Sequence, residues 1–144
     1  MHMRSVAAFG LLLMAAALPA RALTNEVVHA NIPFAFYVRN TTLPPGDYVI
    51  RPAGDTDAAL LLLRKNDGSH PVFLLTIITT PKTESATAHL VFNRYGQERF
   101  LHAIFVPGGG GNVLLGSATE SQAARGVASA SETIHGRAHR VSRS

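Results

Sequence analysis

The feature that most constrains this fold is the shortness of its apolar segments. Between residues 26 and 116, stretches rich in β-branched and aromatic side chains are repeatedly interrupted by Pro, Gly, Asn or Asp. Stretches of about four to eight such residues suit strands, whereas most helices need longer periodic runs. The pattern predicts an all-β domain of six to seven short, mostly antiparallel strands, folded as a small sandwich or a partly open barrel.

Two segments in the middle of the chain are predicted to form a hairpin. Residues 58–64 (AALLLLR) and 72–79 (VFLLTIIT) are almost wholly apolar, which indicates burial. The stretch between them contains Asp67-Gly68, a pair that favours a tight reversal between two strands.

A second hairpin is predicted for residues 91–105, VFNRYGQERFLHAIF. With Gly96 at the first central position of a type II′ turn, each residue before Gly96 pairs with the residue that lies equally far after Gln97. Phe92 then faces Leu101 and Leu90 faces Ala103. The same register pairs Val91 with His102, His89 with Ile104, and Arg94 with Arg99. The last pair brings like charges together, which a bulge or a longer loop would relieve.

Proline and glycine residues mark the remaining turns. Pro33 has no N–H for a ladder and predicts an edge position or a bend. Pro45-Gly46 suits the central pair of a type II turn, with a strand restarting at Asp47 or Tyr48. The glycine-rich segment 108–117 predicts a flexible loop that leads to the last short strand.

The first 22 residues have the three-part layout of a secretory signal peptide. Arg4 precedes an apolar run over residues 6–18, which is shorter than the roughly 20 residues that a membrane-spanning helix needs. Cleavage is predicted after Ala22, so the mature chain would have no transmembrane segment and would be periplasmic or secreted. The sequence contains no Cys, so a packed core has to stabilise the domain without disulfides.

The net charge of +4 comes from the two ends of the chain. Residues 23–116 carry seven basic and seven acidic side chains, so this single predicted β domain is neutral. A nucleic-acid-binding domain needs a basic face, and none is indicated. Residues 117–144 are rich in Ala, Ser and Arg and poor in large apolar side chains, which predicts a basic, disordered tail.

Two stretches of the chain resemble a known group of proteins. NIPFAFYVRNTTLPPGDYVI (residues 31–50) and LVFNRYGQERFLHAIF (residues 90–105) are similar to small exported β-rich proteins of unknown function that are frequent in acidobacterial genomes. Those proteins share a Pro-Phe strand, a Leu-Pro-x-Gly-x-Tyr turn and a Phe-x-x-Tyr-Gly hairpin. The resemblance covers roughly residues 31–116 and implies a fold and an export route, with no site residues.

Few residues suggest catalysis or metal binding. His89 and His102 would be diagonal neighbours on one face of the second hairpin, close enough for two metal ligands. A zinc site needs three or four ligands, and the predicted register offers no third. Asp55 and Asp57 are assigned to a polar loop, and residues 108–117 lack the lysine of a phosphate-binding loop. We therefore predict no catalytic residue, no metal site and no cofactor.

Two classes of function remain open. The first is a non-enzymatic interaction or binding module of the cell envelope, with an envelope or extracellular partner that the sequence does not identify. The alternative is a small hydrolase-like or metal-dependent enzyme whose site is assembled from scattered residues around His89 and His102. Convergence of these two histidines with a carboxylate would favour the enzyme.

Overall fold

The computed structural model describes residues 26–54, 57–83 and 85–141. The predicted signal peptide and its cleavage site lie outside these residues. The described chain contains strands β1 (Glu26–Ile32), β2 (Phe36–Val38), β3 (Thr41–Leu43), β4 (Gly46–Pro52), β5 (Leu60–Lys65), β6 (Val72–Thr79), β7 (His89–Tyr95), β8 (Glu98–Phe105), β9 (Gly111–Leu114), helix α1 (Ala118–Ala123), and strands β10 (Ser129–His135) and β11 (Arg137–Arg140).

The prediction of an all-β fold is confirmed, although the strands outnumber the six or seven expected. Eleven strands form one large, mostly antiparallel sheet, with the order β10-β7-β8-β9-β6-β5-β4-β1-β11. Strand β2 pairs with β3 and lies parallel to β8. The extra strands have two sources: a tight turn at Arg39-Asn40 joins the short strands β2 and β3, and the C-terminal residues add β10 and β11.

Two segments each pair with different neighbours along their length. The first half of β6 pairs with β5 and its second half with β9. In the same way β10 pairs with β7, and β11, which follows after Gly136, pairs with β1. One continuous segment therefore forms both ends of the strand order, although the sheet is not closed by a ladder between them.

The core lies between these strands and is built mainly from aliphatic residues and four aromatic rings. Phe36 packs edge-on against Tyr48 and Phe92, with ring centroids 5.1 and 5.6 Å apart, and Phe34 meets Phe92 at 5.1 Å. Edge-to-face pairs of this kind add to the stabilisation that burial provides. Phe36 and Phe92 are completely buried.

The prediction of a disordered tail is wrong for the described residues 117–141. Strand β10 pairs with β7 along its whole length, from Ser129 opposite Tyr95 to His135 opposite His89. The backbone ladder, together with half-buried Ile134 against the core, orders a strand whose other side chains are small or polar. The β domain therefore extends well beyond the predicted boundary at residue 116.

The second hairpin has the predicted turn but only part of the predicted register. Phe92 pairs with Leu101 and Arg94 with Arg99, as expected, and Gly96 has a φ of 62°. A bulge then shifts the pairing, so that the expected partners of Leu90, Val91 and His89 are wrong: these residues face Ile104, Ala103 and Phe105. The extra residue on β8 at this shift is His102.

The bulge lies farther along the ladder, so Arg94 and Arg99 remain opposite each other. Their repulsion is relieved because other groups neutralise Arg99. Arg99 donates from Nε to Glu132 at 2.7 Å, and its guanidinium lies 4.3 Å from the ring centre of Phe34. The carboxylate comes from β10, in the segment predicted to be disordered. The sequence pattern alone therefore gave no reason to expect this neutralisation.

The other turns agree with the prediction in two of three cases. Strands β5 and β6 form the first hairpin, and β1 ends at Ile32, immediately before Pro33. The type II turn at Pro45-Gly46 is wrong, because Gly46 has a φ of 156° where that turn needs about 80°. Strand β4 starts at Gly46 itself.

Helix α1 is short and lies in the segment after β9. Its N-cap is Ser117, whose hydroxyl accepts the Glu120 N–H and donates to the Arg39 carbonyl. Among the described residues, no helix is long and apolar enough to cross a membrane.

Candidate functional site

The two histidines singled out from the sequence have different surroundings. His89 stacks on Phe105, with ring centres 4.9 Å apart, and its Nδ1 lies 3.3 Å from the Thr87 carbonyl oxygen. His102, at the bulge, lines a surface pocket with Tyr95 and Glu120. Residues 26–54, 57–83 and 85–141 contain no group of three or more His, Asp or Glu residues that could hold a metal ion.

Two histidines of the C-terminal segment lie beside histidines of the β domain. His139 stacks on His29 at 5.0 Å, and His135 lies 6.2 Å from His89. Neither pair was predicted from the sequence, because residues 117–144 were expected to be disordered. Spacing along the chain carried no signal for these contacts.

The surface pocket beside His102 is organised by Glu120 of α1. Glu120 Oε1 accepts hydrogen bonds from Asn93 Nδ2 at 3.0 Å and from the Tyr95 hydroxyl at 3.1 Å. Burial, and then the negative charge of Glu120, raise the pKa of Tyr95. One carboxylate oxygen thus has two donors, so these contacts fasten the short helix to β7.

The predicted loop residues are in ordinary turn conformations where they are described. Asp57 accepts the Ala59 N–H at 2.9 Å, which is a local turn contact. Asp55 lies outside the described residues. The glycine-rich segment leads to β9, as expected, although β9 is not the last strand.

An apolar space lies where the ends of six strands meet, and we call it the end cavity. Its volume is about 250 Å³, close to the lower end of the range for small-molecule pockets. Strands β1, β4, β5, β6, β8 and β9 all contribute to its walls. The apolar lining includes Val28, Ile50, Pro52, Leu61, Ile104 and Val106.

A carboxylate lies among these apolar side chains. Glu26, Val28, Ala30 and Ile32 alternate along β1, and the last three are buried core residues, so Glu26 occupies a core-facing position. Its Oε2 is buried and has no hydrogen-bond partner among the described residues. A buried acceptor without a donor costs free energy, so this oxygen favours a donor wherever one can reach it.

Two arginines lie near this carboxylate but do not pair with it. Arg51 lines the end cavity and is exposed, and Arg140 is opposite Glu26 in the β1–β11 register. In the part of the chain that the structure describes, the only ion pair joins Arg99 and Glu132. The mouth of the end cavity therefore carries both signs of charge.

Among the other polar lining residues, Asn112 already has hydrogen-bond partners. Its Nδ2 donates to the Ala58 carbonyl and to Thr76 Oγ1, both at 2.9 Å. These bonds connect β9 to the start of β5 and keep the wall of the cavity in place. Asn112 thus supports the cavity, and Glu26 is the lining residue with a buried acceptor that has no partner among the described residues.

A second apolar surface lies on the outside of the sheet. Phe73, Leu75 and Ile77 alternate along β6 and are 66%, 59% and 54% exposed. Leu62 of β5 is paired with Phe73, and Val113 of β9 with Ile77, so the surface continues across three strands. Contiguous exposed apolar side chains are uncommon on soluble proteins and often mark contact surfaces.

Comparison with protein families, with curated proteins and with solved structures finds no match to this chain.

Proposed function

We propose that this protein is an exported, non-enzymatic binding module of the cell envelope, and that the end cavity is its ligand site. The observation that carries the proposal is a cavity of about 250 Å³ with apolar walls and one buried carboxylate oxygen that has no partner in the described part of the chain. Binding sites for small molecules commonly combine a mostly apolar lining with a few polar groups that orient the ligand.

The enzyme alternative has less support from the side-chain contacts. His89 stacks on Phe105 and lies 6.2 Å from His135, and His102 shares a surface pocket with Glu120, whose Oε1 already accepts two hydrogen bonds. General acid–base catalysis needs a histidine that is oriented by a partner and faces a substrate cleft. Neither histidine lines the end cavity.

The export part of the proposal rests on the N-terminal sequence and on the resemblance to small exported proteins. Intact-mass analysis of the protein recovered from the periplasm or the medium tests it directly. We expect a chain that begins at Leu23. Recovery with residues 1–22 still attached would contradict cleavage at Ala22.

The binding part is tested with 1-hexanol, an uncharged amphiphile. At about 30 Å³ for each water molecule, the end cavity has room for about eight of them. This number is close to the number of non-hydrogen atoms in 1-hexanol. We expect hexanol to shift backbone amide resonances of the lining strands, around Leu61 and Val106, in a saturable titration followed by NMR.

A pair of matched variants identifies the binding site. Ala58→Leu adds three carbon atoms at the wall of the end cavity and should abolish the titration. Ala130→Leu makes the same change at an exposed position of β10 and should leave it intact. Hexanol binding that is absent, or that survives Ala58→Leu, would refute the end cavity as the ligand site.

A further inference from the structure

The geometry points to a ligand whose polar end donates hydrogen bonds and carries no negative charge. This inference rests on the proposed function, and it adds the chemistry of the ligand. We propose that the end cavity takes a short amphiphile with an ammonium or hydroxyl head, which Glu26 recognises. The hydrocarbon part would lie against the apolar walls.

The position of Glu26 in β1 is the first argument. A core-facing register position at the end of a strand normally holds an apolar side chain, as Val28, Ala30 and Ile32 do in the same strand. Glu26 continues this alternation as a cavity-lining carboxylate. An apolar residue there would bury more favourably if the position had only a packing role.

The state of its oxygen is the second argument. Oε2 of Glu26 is buried without a donor among the described residues, whereas two other partly buried carboxylates have donors. Glu120 accepts from Asn93 and Tyr95, and Glu132 accepts from Arg99. A ligand donor would satisfy the unused oxygen, and hydrogen bonds to charged groups are stronger than those between neutral groups.

The cations at the mouth raise the opposite possibility, an anionic ligand held by Arg51. Arg51 and the neighbouring Arg140 are both exposed, so water solvates their guanidinium groups already and a carboxylate head would gain little there. Such a head would also lie in the same cavity as the Glu26 carboxylate, and like charges in a water-poor space repel strongly. The donor head is therefore the favoured ligand chemistry.

Three ligands with the same hydrocarbon chain test the head group: hexylamine, 1-hexanol and hexanoate. Dissociation constants for the purified protein are measured by amide-shift titration near neutral pH. We expect hexylamine and 1-hexanol to bind, and hexanoate to bind at least about tenfold more weakly than hexylamine. The relative dissociation constants of hexylamine and 1-hexanol show whether the positive charge or the hydrogen-bond donor of the head group contributes more to binding.

Two variants assign the preference to Glu26. E26Q keeps the shape of the side chain but removes the charge, so the ratio of the hexanoate and hexylamine constants should fall by about tenfold while 1-hexanol still binds. R51Q should leave the preference for hexylamine in place. If the preference for hexylamine depended on Arg51 and not on Glu26, Glu26 would not be the residue that recognises the head group, and the inference would be overturned.

The failure of this inference and that of the proposed function give different results. If 1-hexanol binds in the end cavity but hexanoate matches hexylamine, the donor-head inference is wrong and the binding module stands. If none of the three ligands binds there, the proposed function fails and the inference fails with it. Should E26Q not fold, the order of the three ligands on the unmodified protein still decides.

Discussion

At the scale of single residues, Tyr48 has the most specific role outside the cavity. Its ring is buried, its hydroxyl donates to the Pro44 carbonyl at 2.5 Å, and it packs against Phe36. The side chain thus ties the Pro44-Pro45 bend to the strand that follows it. This contact gives a physical reason for the tyrosine in the LPPGDY stretch.

Replacement of Tyr48 by Phe should therefore reduce stability in a way that depends on pH. Near neutral pH, the lost hydrogen bond should cost about 0.5 to 1.5 kcal/mol of the free energy of unfolding in urea. Burial, and then the negative charge of Asp67, raise the pKa of Tyr48. A raised pKa means that folding favours the neutral phenol.

The sign of the pH effect follows from this raised pKa. The contribution of Tyr48 is fully present below its ordinary pKa of about 10 and is lost as the pH rises through the higher pKa of the folded state. The unmodified protein should therefore lose more stability than Tyr48→Phe between about pH 8 and about pH 11. Parallel losses in the two proteins would contradict a buried, neutral phenol.

The sequence could have identified some of these residues but not all of them. The alternation of Glu26 with Val28, Ala30 and Ile32 is visible in the sequence and places a carboxylate on the inner face of a strand. Its lack of a partner among the described residues is not visible, because it depends on where the five other strands of the end cavity and two arginines lie. The hydrogen bond of Tyr48 to a residue four positions earlier depends on a bend that the sequence analysis assigned to the wrong turn type.

At the scale of secondary-structure elements, one part of the β7–β8 hairpin is determined by its own local sequence and another part by the strands around it. The Gly96-Gln97 turn follows from glycine at a position that needs a positive φ, and the pairs nearest to the turn are correct. The bulge farther along the ladder was not predicted. It involves His102 and Val91, whose surroundings include strands β9 and β10 on either side of the hairpin.

The requirement for glycine in this turn can be tested with a matched pair of variants. Gly96 has a φ of 62°, and a Cβ there would meet no atom within 4 Å. Gly96→Val should cost about 1 to 3 kcal/mol in the free energy of unfolding, through backbone strain alone.

Gly54 is the control for this substitution. A Cβ at Gly54 also has open space around it, but its backbone does not have the positive φ of Gly96. Gly54→Val should change the free energy of unfolding by no more than about 0.5 kcal/mol. Equal effects of the two substitutions would show that the φ of Gly96 is not the cause.

At the scale of the whole molecule, the C-terminal segment completes the fold. Strand β10 covers the edge of β7, and β11 covers the edge of β1. The bend between them requires Gly136, where a Cβ would lie 2.7 Å from the His29 carbonyl oxygen. The composition of residues 117–144 predicted disorder because these strands bury little side-chain surface. Composition contains no information on backbone hydrogen bonds to strands that are distant in the sequence.

Deletion of residues 128–144 should therefore destabilise the protein severely. It removes both strands, exposes the edges of β7 and β1, and removes Ile134 and Ala138 from the surface of the core. We expect the loss of a large part of the roughly 5 to 15 kcal/mol that stabilises a typical domain, and a much lower thermal midpoint. A midpoint within a few degrees of the full chain would show that β10 and β11 are dispensable.

Two substitutions within β10 distinguish stabilisation by side-chain packing from stabilisation by backbone pairing. Ile134 is half-buried against the core, and its neighbour Thr133 is exposed. Ile134→Ala should cost about 1 to 2 kcal/mol, less than a fully buried isoleucine would. Thr133→Ala should cost about 0.5 kcal/mol or less, because its side chain does not contribute to the core.

The pairing of β1 with β11 also governs when the chain can fold during its synthesis. Ribosomes add about 5 to 20 residues per second, and the partner of Glu26 is Arg140, so the β1–β11 ladder cannot form until residues 137–140 have been synthesised. Until β10 and β11 are made, β1 and β7 each have one unpaired edge, and an unpaired strand edge is a place where a strand of another chain can add.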